Sequence, residues 1–213
     1  MDTGANEPST VYLAVYDTLA DWEVGHTVAH LNSPRWQRSP GSLAVRTVGP
    51  DPDPVTTMGG VRILPDTTRA EVSTEGAALL ILPGATLWDT GDRLAGFGKL
   101  ARRFVEAGVP VAAICGATAG LAREGLLDDR AHTSAAAGYL AATGYAGGGH
   151  YREADAVADR GVITAGPTEP VAFAREVFAQ LGLYEPEVLD AWYRLFAHSD
   201  ASAFEVLAAA GHE

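Results

Sequence analysis

The chain carries a single cysteine, Cys115, in a setting that suits chemistry. It closes the apolar run VPVAAIC (109–115) and is followed at once by Gly116 and a helix-like stretch, GATAGLAREG. A strand that turns sharply into a helix holds the residue at the turn in a strained conformation, and the crowding demands small neighbours. Ala113 and Ala117, two positions to either side, meet that demand, and Gly116 relaxes it further. The electropositive helix N-terminus beside the sulfur predicts a thiol pKa below its ordinary value of roughly 8.5. The Gly116 backbone N–H is predicted to be free for a developing oxyanion. The pattern points to a nucleophile, against the plainer reading of a small buried apolar residue. A dinucleotide-binding turn does not fit, because GATAG lacks the G-x-G-x-x-G spacing.

Such a residue needs a sheet to stand on, and strands alternate with helices along the chain. VYLAVYD (11–17) and ALLILPG (78–84) read as strands covered on both faces, with LAVRTVG (43–49) and VPVAAIC as further strands. TTMGGVRILPD (56–66) reads as a hairpin, and EADAVADRGVITAG (153–166) as a strand pair turning at 159–161. Helical spacing follows the first strand in DWEVGHTVAHLN and recurs in 94–108, 136–144 and 168–182, the last opened by Thr168. RAHTS (130–134) reads as a short strand. The alternation predicts an α/β domain with a single doubly wound, mostly parallel sheet and helices on both faces. Ligands bind such sheets at the carboxyl ends of the strands, where Cys115 stands.

With 47% hydrophobic and 20% charged residues among 213, the chain can bury one large core. Residues 1–10 (MDTGANEPST) read as a loose arm without signal- or transit-peptide character, 11–182 as the α/β domain, and 183–213 as a helical extension packed on it. A net charge of −12 repels phosphate backbones, so no nucleic-acid partner is expected. No apolar run is long enough to cross a membrane, and one cysteine excludes an intramolecular disulfide and fits a reducing cytoplasm. No histidine–carboxylate group has metal-ligand spacing; neither metal nor cofactor is expected.

The segments YDTLADWE, LLILPGATLWDTG, AICGATAGLAREGLLDDRAHTS and VITAGPTEPVAFAREV together resemble the ThiJ/PfpI superfamily. The resemblance spans residues 11–182 and implies the flavodoxin-like, class I glutamine amidotransferase-like fold. It implies that Cys115 is the nucleophile, bonded to an acid from the start of the first helix. The family's spacing puts that acid at Glu23, with Asp21 as near neighbour; taken alone, both read as first-turn acids favouring a helix N-terminus. A protonated carboxyl beside a thiolate stabilises it or relays a proton. LPGA (82–85) matches the family's LPGG, which brings Gly84 and Ala85 to the oxyanion site, the Ala85 N–H as second donor. Trp88 either walls the pocket or lies exposed on a loop.

Proteolytic members carry a histidine directly after the cysteine; Gly116 stands there, which argues against that activity. Other members place one after the next strand. His132 is the nearest candidate, while Ser134 holds the expected position, so His132 reads equally as a pocket residue or a strand histidine satisfied elsewhere. His26, His30, His150, His198 and His212 have no motif around them. Members of the superfamily include proteases, deglycases, glyoxalases, isocyanide hydratases and redox-responsive chaperones, and homodimers are common. The expectation is a cysteine-dependent hydrolase, hydratase or amidotransferase-like enzyme with a small-molecule substrate. The alternative is a protective protein that senses oxidants through Cys115.

Overall fold

A computed structural model describes residues 7–211; the first six residues of the expected arm, and His212 and Glu213, lie outside it. The first apolar run begins as a strand at Ser9, inside the stretch read as an arm. The strands are β1 (Ser9–Ala14), β2 (Leu43–Gly49), β3 (Val55–Thr56), β4 (Arg62–Ile63), β5 (Thr67–Thr68), β6 (Ala77–Leu82), β7 (Val111–Ile114), β8 (Ala156–Asp159) and β9 (Val162–Ala165). β3 and β4 form the separate hairpin; the other seven make one sheet in the order β5-β2-β1-β6-β7-β9-β8. All its pairings are parallel except β8 with β9. Val11, opposite Val45 on one side and Leu79 on the other, is completely buried, as a strand covered on both faces requires.

The helices are α1 (Gly25–Asn32), α2 (Ala95–Glu106), α3 (Ala117–Arg123), α4 (Ala137–Ala141), α5 (Pro170–Leu181), α6 (Pro186–His198) and α7 (Phe204–Ala210). In α2 the buried Phe97, Leu100, Ala101 and Phe104 repeat at helical spacing and face the sheet. The crossover through α1 runs outward from β1 to β2, and that through α2 runs the other way, from β6 to β7. Right-handed connections therefore put α1 and α2 on opposite faces of the sheet. The strand order reverses between β1 and β6, and the crevice at their carboxyl ends is the natural site for chemistry.

α6 packs on α5 and α7 on α6, so the C-terminal segment lies back on the domain. Trp192, fully buried, donates from Nε1 to His30 Nε2 at 3.1 Å, and Tyr184 Oη lies 3.2 Å from His30 Nδ1. This pins α6 to α1. Among the described residues no helix is long and apolar enough to cross a membrane.

Two local expectations fail. RAHTS is no strand beyond a single bridge between His132 and Tyr151, because side chains take its N–H groups: Asp159 Oδ2 accepts from Ala131 (2.8 Å) and Thr164 Oγ1 from Thr133 (2.9 Å). The cap residue of α5 is Glu169, not Thr168. Pro170 suits the first helical position, and the Thr168 hydroxyl donates to the Glu169 carboxylate at 2.9 Å instead of capping.

Candidate active site

Cys115 follows β7 with φ 57°, a left-handed conformation that costs a non-glycine residue about 1–2 kcal/mol. Both sides of the residue are tied down. Its N–H donates to Ala165 O at 3.0 Å, and its carbonyl accepts from Thr118 N at 3.1 Å and Thr118 Oγ1 at 2.6 Å. Ala113 and Ala117 are completely buried, which leaves no room for larger side chains. Among the described residues no carbonyl accepts the Gly116 N–H, which turns to the sulfur and favours its ionised form.

Beneath the turn sits Trp88. A Cβ at Gly116 would lie 3.2 Å from Trp88 Cβ, and one at Gly120 only 2.4 Å from Trp88 Cζ3. The two glycines, one turn of α3 apart, form a socket for the indole, which explains the GATAG spacing. Its Nε1 donates to Pro83 O at 3.0 Å and to Tyr16 Oη at 3.1 Å.

Glu23, in a 3-10 turn (Asp21–Glu23) after β1, is completely buried. Oε2 accepts the Gly84 N–H at 2.5 Å, from the turn after β6. Close approach demands glycine there: a Cβ at 84 would fall 2.7 Å from both carboxyl oxygens and 2.8 Å from Cys115 Cβ. The thiol and the carboxyl shift one another's protonation, yet Oε1 completes no hydrogen bond of normal geometry. Burial, opposed by bonds from Gly84 and Cys115, lifts Glu23 to about 7. Burial first, then the Glu23 charge and hydrogen bonding with Glu23, pushes the Cys115 thiol up to about 12 against the pull of Gly116. The expected low-pKa thiolate is thereby corrected: desolvation and a buried carboxylate outweigh the helix N-terminus. At neutral pH the thiol keeps its proton, and the carboxyl beside it titrates near neutrality, where a general base works best.

Together these residues open into a cavity of about 260 Å³, also lined by Ala20, Trp22, Met58, Ala85, Thr86, Asp89, Ala135 and Tyr139. Tyr139 Oη donates to Asp89 Oδ1 at 2.7 Å; burial and the Asp89 charge keep the phenol protonated.

A model of the DJ-1/PfpI family matches residues 9–180. The chain belongs to the DJ-1/PfpI family. It is 39% identical to the uncharacterized protease YoaZ of Bacillus subtilis (strain 168) over 188 residues, 87% of this chain and 89% of that one. The crystal structure of a thiJ/pfpI family protein from Bacillus anthracis matches with a TM-score of 0.89 at 35% identity, covering 97% of this chain and 98% of the other. The DJ-1 superfamily protein Atu0886 from Agrobacterium tumefaciens gives 0.80 at 35% identity, covering 90% and 98%.

Of the residues the sequence singled out, this member of the DJ-1/PfpI family brings Cys115, Gly116, Glu23, Gly84 and Ala85 together. Among the described residues the Ala85 N–H has no carbonyl partner, whereas the Gly84 N–H is committed to Glu23. Three others go elsewhere. Trp88 does not wall the cavity; the glycine socket draws it under the turn. Asp21 turns away to accept the Gly59 N–H at 2.7 Å from the β3–β4 hairpin, its pKa lowered by the Thr57 hydroxyl above all. His132 is completely buried outside the cavity, Nδ1 on Arg130 O (2.7 Å) and Nε2 on Tyr145 Oη (3.0 Å). Ser134 bonds Thr118 Oγ1 at 2.7 Å, so no histidine lines the cavity among the described residues. Trp22, Met58, Asp89 and Tyr139 were missed. Only Trp22, in the same turn as Glu23, and Asp89, next to Trp88, carried a signal, namely adjacency to a motif.

Proposed function

We propose that this chain is a cysteine-dependent enzyme of the hydrolase or hydratase type, acting on a small electrophile, with Glu23 as its proton carrier. The observation that carries this reading is the Glu23 carboxyl: one oxygen is held by Gly84, the other is buried without a hydrogen bond beside a strained cysteine. As sulfur bonds to the electrophilic carbon, the carboxylate takes the thiol proton, and electrons of the carbon–heteroatom multiple bond move to the heteroatom. The N–H groups of Gly116 and Ala85 support the charge that develops there. In hydrolysis Glu23 gives that proton to the departing amine or alcohol as the carbonyl re-forms, leaving a thioester. Water then attacks the thioester carbon, Glu23 takes one of its protons, and the sulfur leaves and recovers that proton as the acid forms. In hydration no group departs: Glu23 protonates the adduct, water adds to its remaining carbon–nitrogen double bond, and the thiol leaves with its proton restored.

The name of the Bacillus subtilis relative suggests proteolysis. Against it stand Gly116 in the position of a proteolytic histidine and a cavity that, among the described residues, no histidine lines. The oxidant-sensing alternative rests on an easily ionised thiol, and burial with the Glu23 charge pushes the thiol the other way. The test is a turnover panel of aldehydes, isocyanides, amides and esters with wild type and Cys115→Ala. We expect turnover of at least one class that vanishes in the variant. No turnover across the panel, or turnover that survives the substitution, overturns the proposal.

A further inference from the structure

We propose that the substrate of this site is uncharged and carries an apolar group, which seats between Trp22 and Met58. The inference rests on Cys115 acting as nucleophile and adds the substrate's chemistry. Trp22 is 52% exposed and Met58 47%, and both line the cavity that holds the thiol. Large apolar side chains left open to water at the mouth of a pocket mark a binding surface.

Neither residue is there loosely. Trp22 Nε1 donates to Pro167 O at 3.1 Å, which fixes the ring in its turn. Met58 N donates to Leu19 O at 2.8 Å, and the Asp21 carboxylate holds the next N–H, that of Gly59, at 2.7 Å. The carboxyl that the sequence offered as a catalytic neighbour is thus a clamp on the hairpin carrying Met58. The two side chains form a lip that is already in place before a ligand arrives, with the methyl groups of Ala20, Ala85 and Ala135 continuing the apolar wall inward.

Charge sets the other half of the inference. No lysine, arginine or histidine lines the cavity among the described residues, whereas Glu23 and Asp89 do. Arg123, the cation felt by Tyr139, is bound to Trp88 O at 3.1 Å and lies outside the lining. The Tyr139 hydroxyl directs its proton to Asp89. A carboxylate or phosphate on the substrate would meet two acids and no counter-ion, in a site partly shielded from water, where such repulsion is strong.

The probes are three maleimides that differ only on nitrogen: N-ethyl, N-phenyl and a short carboxyalkyl. Alkylation of Cys115 is followed by mass spectrometry at pH 7.5, and each rate is divided by that of mercaptoethanol with the same probe, which removes intrinsic reactivity. We expect the phenyl probe to gain about tenfold over ethyl, and the carboxylate to lose about tenfold, the scale of one well-placed group in a pocket. Trp22→Ala and Met58→Ala, both at exposed positions, should return the phenyl ratio towards that of the free thiol. Asp89→Asn, which keeps an acceptor for Tyr139, should raise the carboxylate ratio. Ratios equal to those of the free thiol, a preference for the carboxylate, or a phenyl preference that survives both lip substitutions overturns the inference and leaves the nucleophile intact. No alkylation of the folded protein by any probe removes the nucleophile itself, and the inference falls with it.

Discussion

Replacing Glu23 by glutamine should stabilise the protein at alkaline pH and leave it little changed in mild acid. The native carboxyl titrates at about 7, lifted mainly by burial, whereas an unfolded glutamate titrates near 4.3. Between those values the folded chain holds a proton that the unfolded chain has lost, so stability falls as pH rises through the window. A gap of roughly 2.7 pH units at about 1.4 kcal/mol each puts the full penalty at about 4 kcal/mol above pH 7. Glutamine has the same shape, its oxygen can keep the Gly84 N–H, and it carries no charge to bury. Its amide N–H groups face a site without a strong acceptor, which returns about 1 kcal/mol. The net gain at pH 8.5 is about 3 kcal/mol, or roughly 1 M in urea midpoint for a domain of this size. Urea titrations of both proteins at pH 5 and pH 8.5 read this directly, and turnover should fall as the stability rises. A variant less stable than wild type at pH 8.5, or equally advantaged at both pH values, refutes the account of the carboxyl as a buried group that ionises at a cost.

Gly84→Ala leaves every functional side chain in place, yet its methyl group would lie 2.7 Å from the Glu23 oxygens and 2.8 Å from Cys115 Cβ. Overpacking of this kind costs about 1–3 kcal/mol, so calorimetry should show a lowered Tm and turnover should be lost together. His30 is held neutral, pushed down to about 4 by burial first and then by His26. An unfolded histidine takes its proton near 6.5, so this residue makes stability fall as pH drops from about 6.5 to 4, by up to roughly 3 kcal/mol. Denaturant titrations of His30→Asn across that range should show a weaker acid dependence than wild type.

What the sequence disclosed followed local rules. The strand ends, the turn at Cys115 and the demand for small neighbours are set by a few consecutive residues, and they were readable in VPVAAICGATAG. Glu23 was readable through family spacing alone, since in isolation it is one more acid at a helix start. Met58 and Tyr139 reach the cavity only because a hairpin and a short helix fold over it, and no local pattern announces that. The sign of the thiol's shift was misjudged for the same reason. The helix N-terminus is visible in sequence, whereas the burial of Cys115 beside the Glu23 charge exists only after β1, β6 and β7 have been set side by side. His132 misled because a histidine near the expected place carries no mark of which way its ring will turn.

The socket for Trp88 bears on what can stand at position 116. The resemblance implies a histidine directly after the cysteine in proteolytic members, so a single change from Gly116 to histidine looks like a short path between two activities. Here that path is narrowed, because a Cβ at 116 would lie 3.2 Å from Trp88 Cβ and 3.4 Å from Ala85 O, so the indole and its turn would have to shift by a few tenths of an ångström to take it. Shrinking Trp88 first would open a void under the turn and abandon its bonds to Tyr16 and Pro83, a loss of about 3–5 kcal/mol. Positions 88 and 116 are in direct contact, so the effects of substitutions at the two are not expected to add. An indole packed against two glycines thus holds position 116 to the smallest side chain, and under the proposed function proton transfer falls to the Glu23 carboxyl.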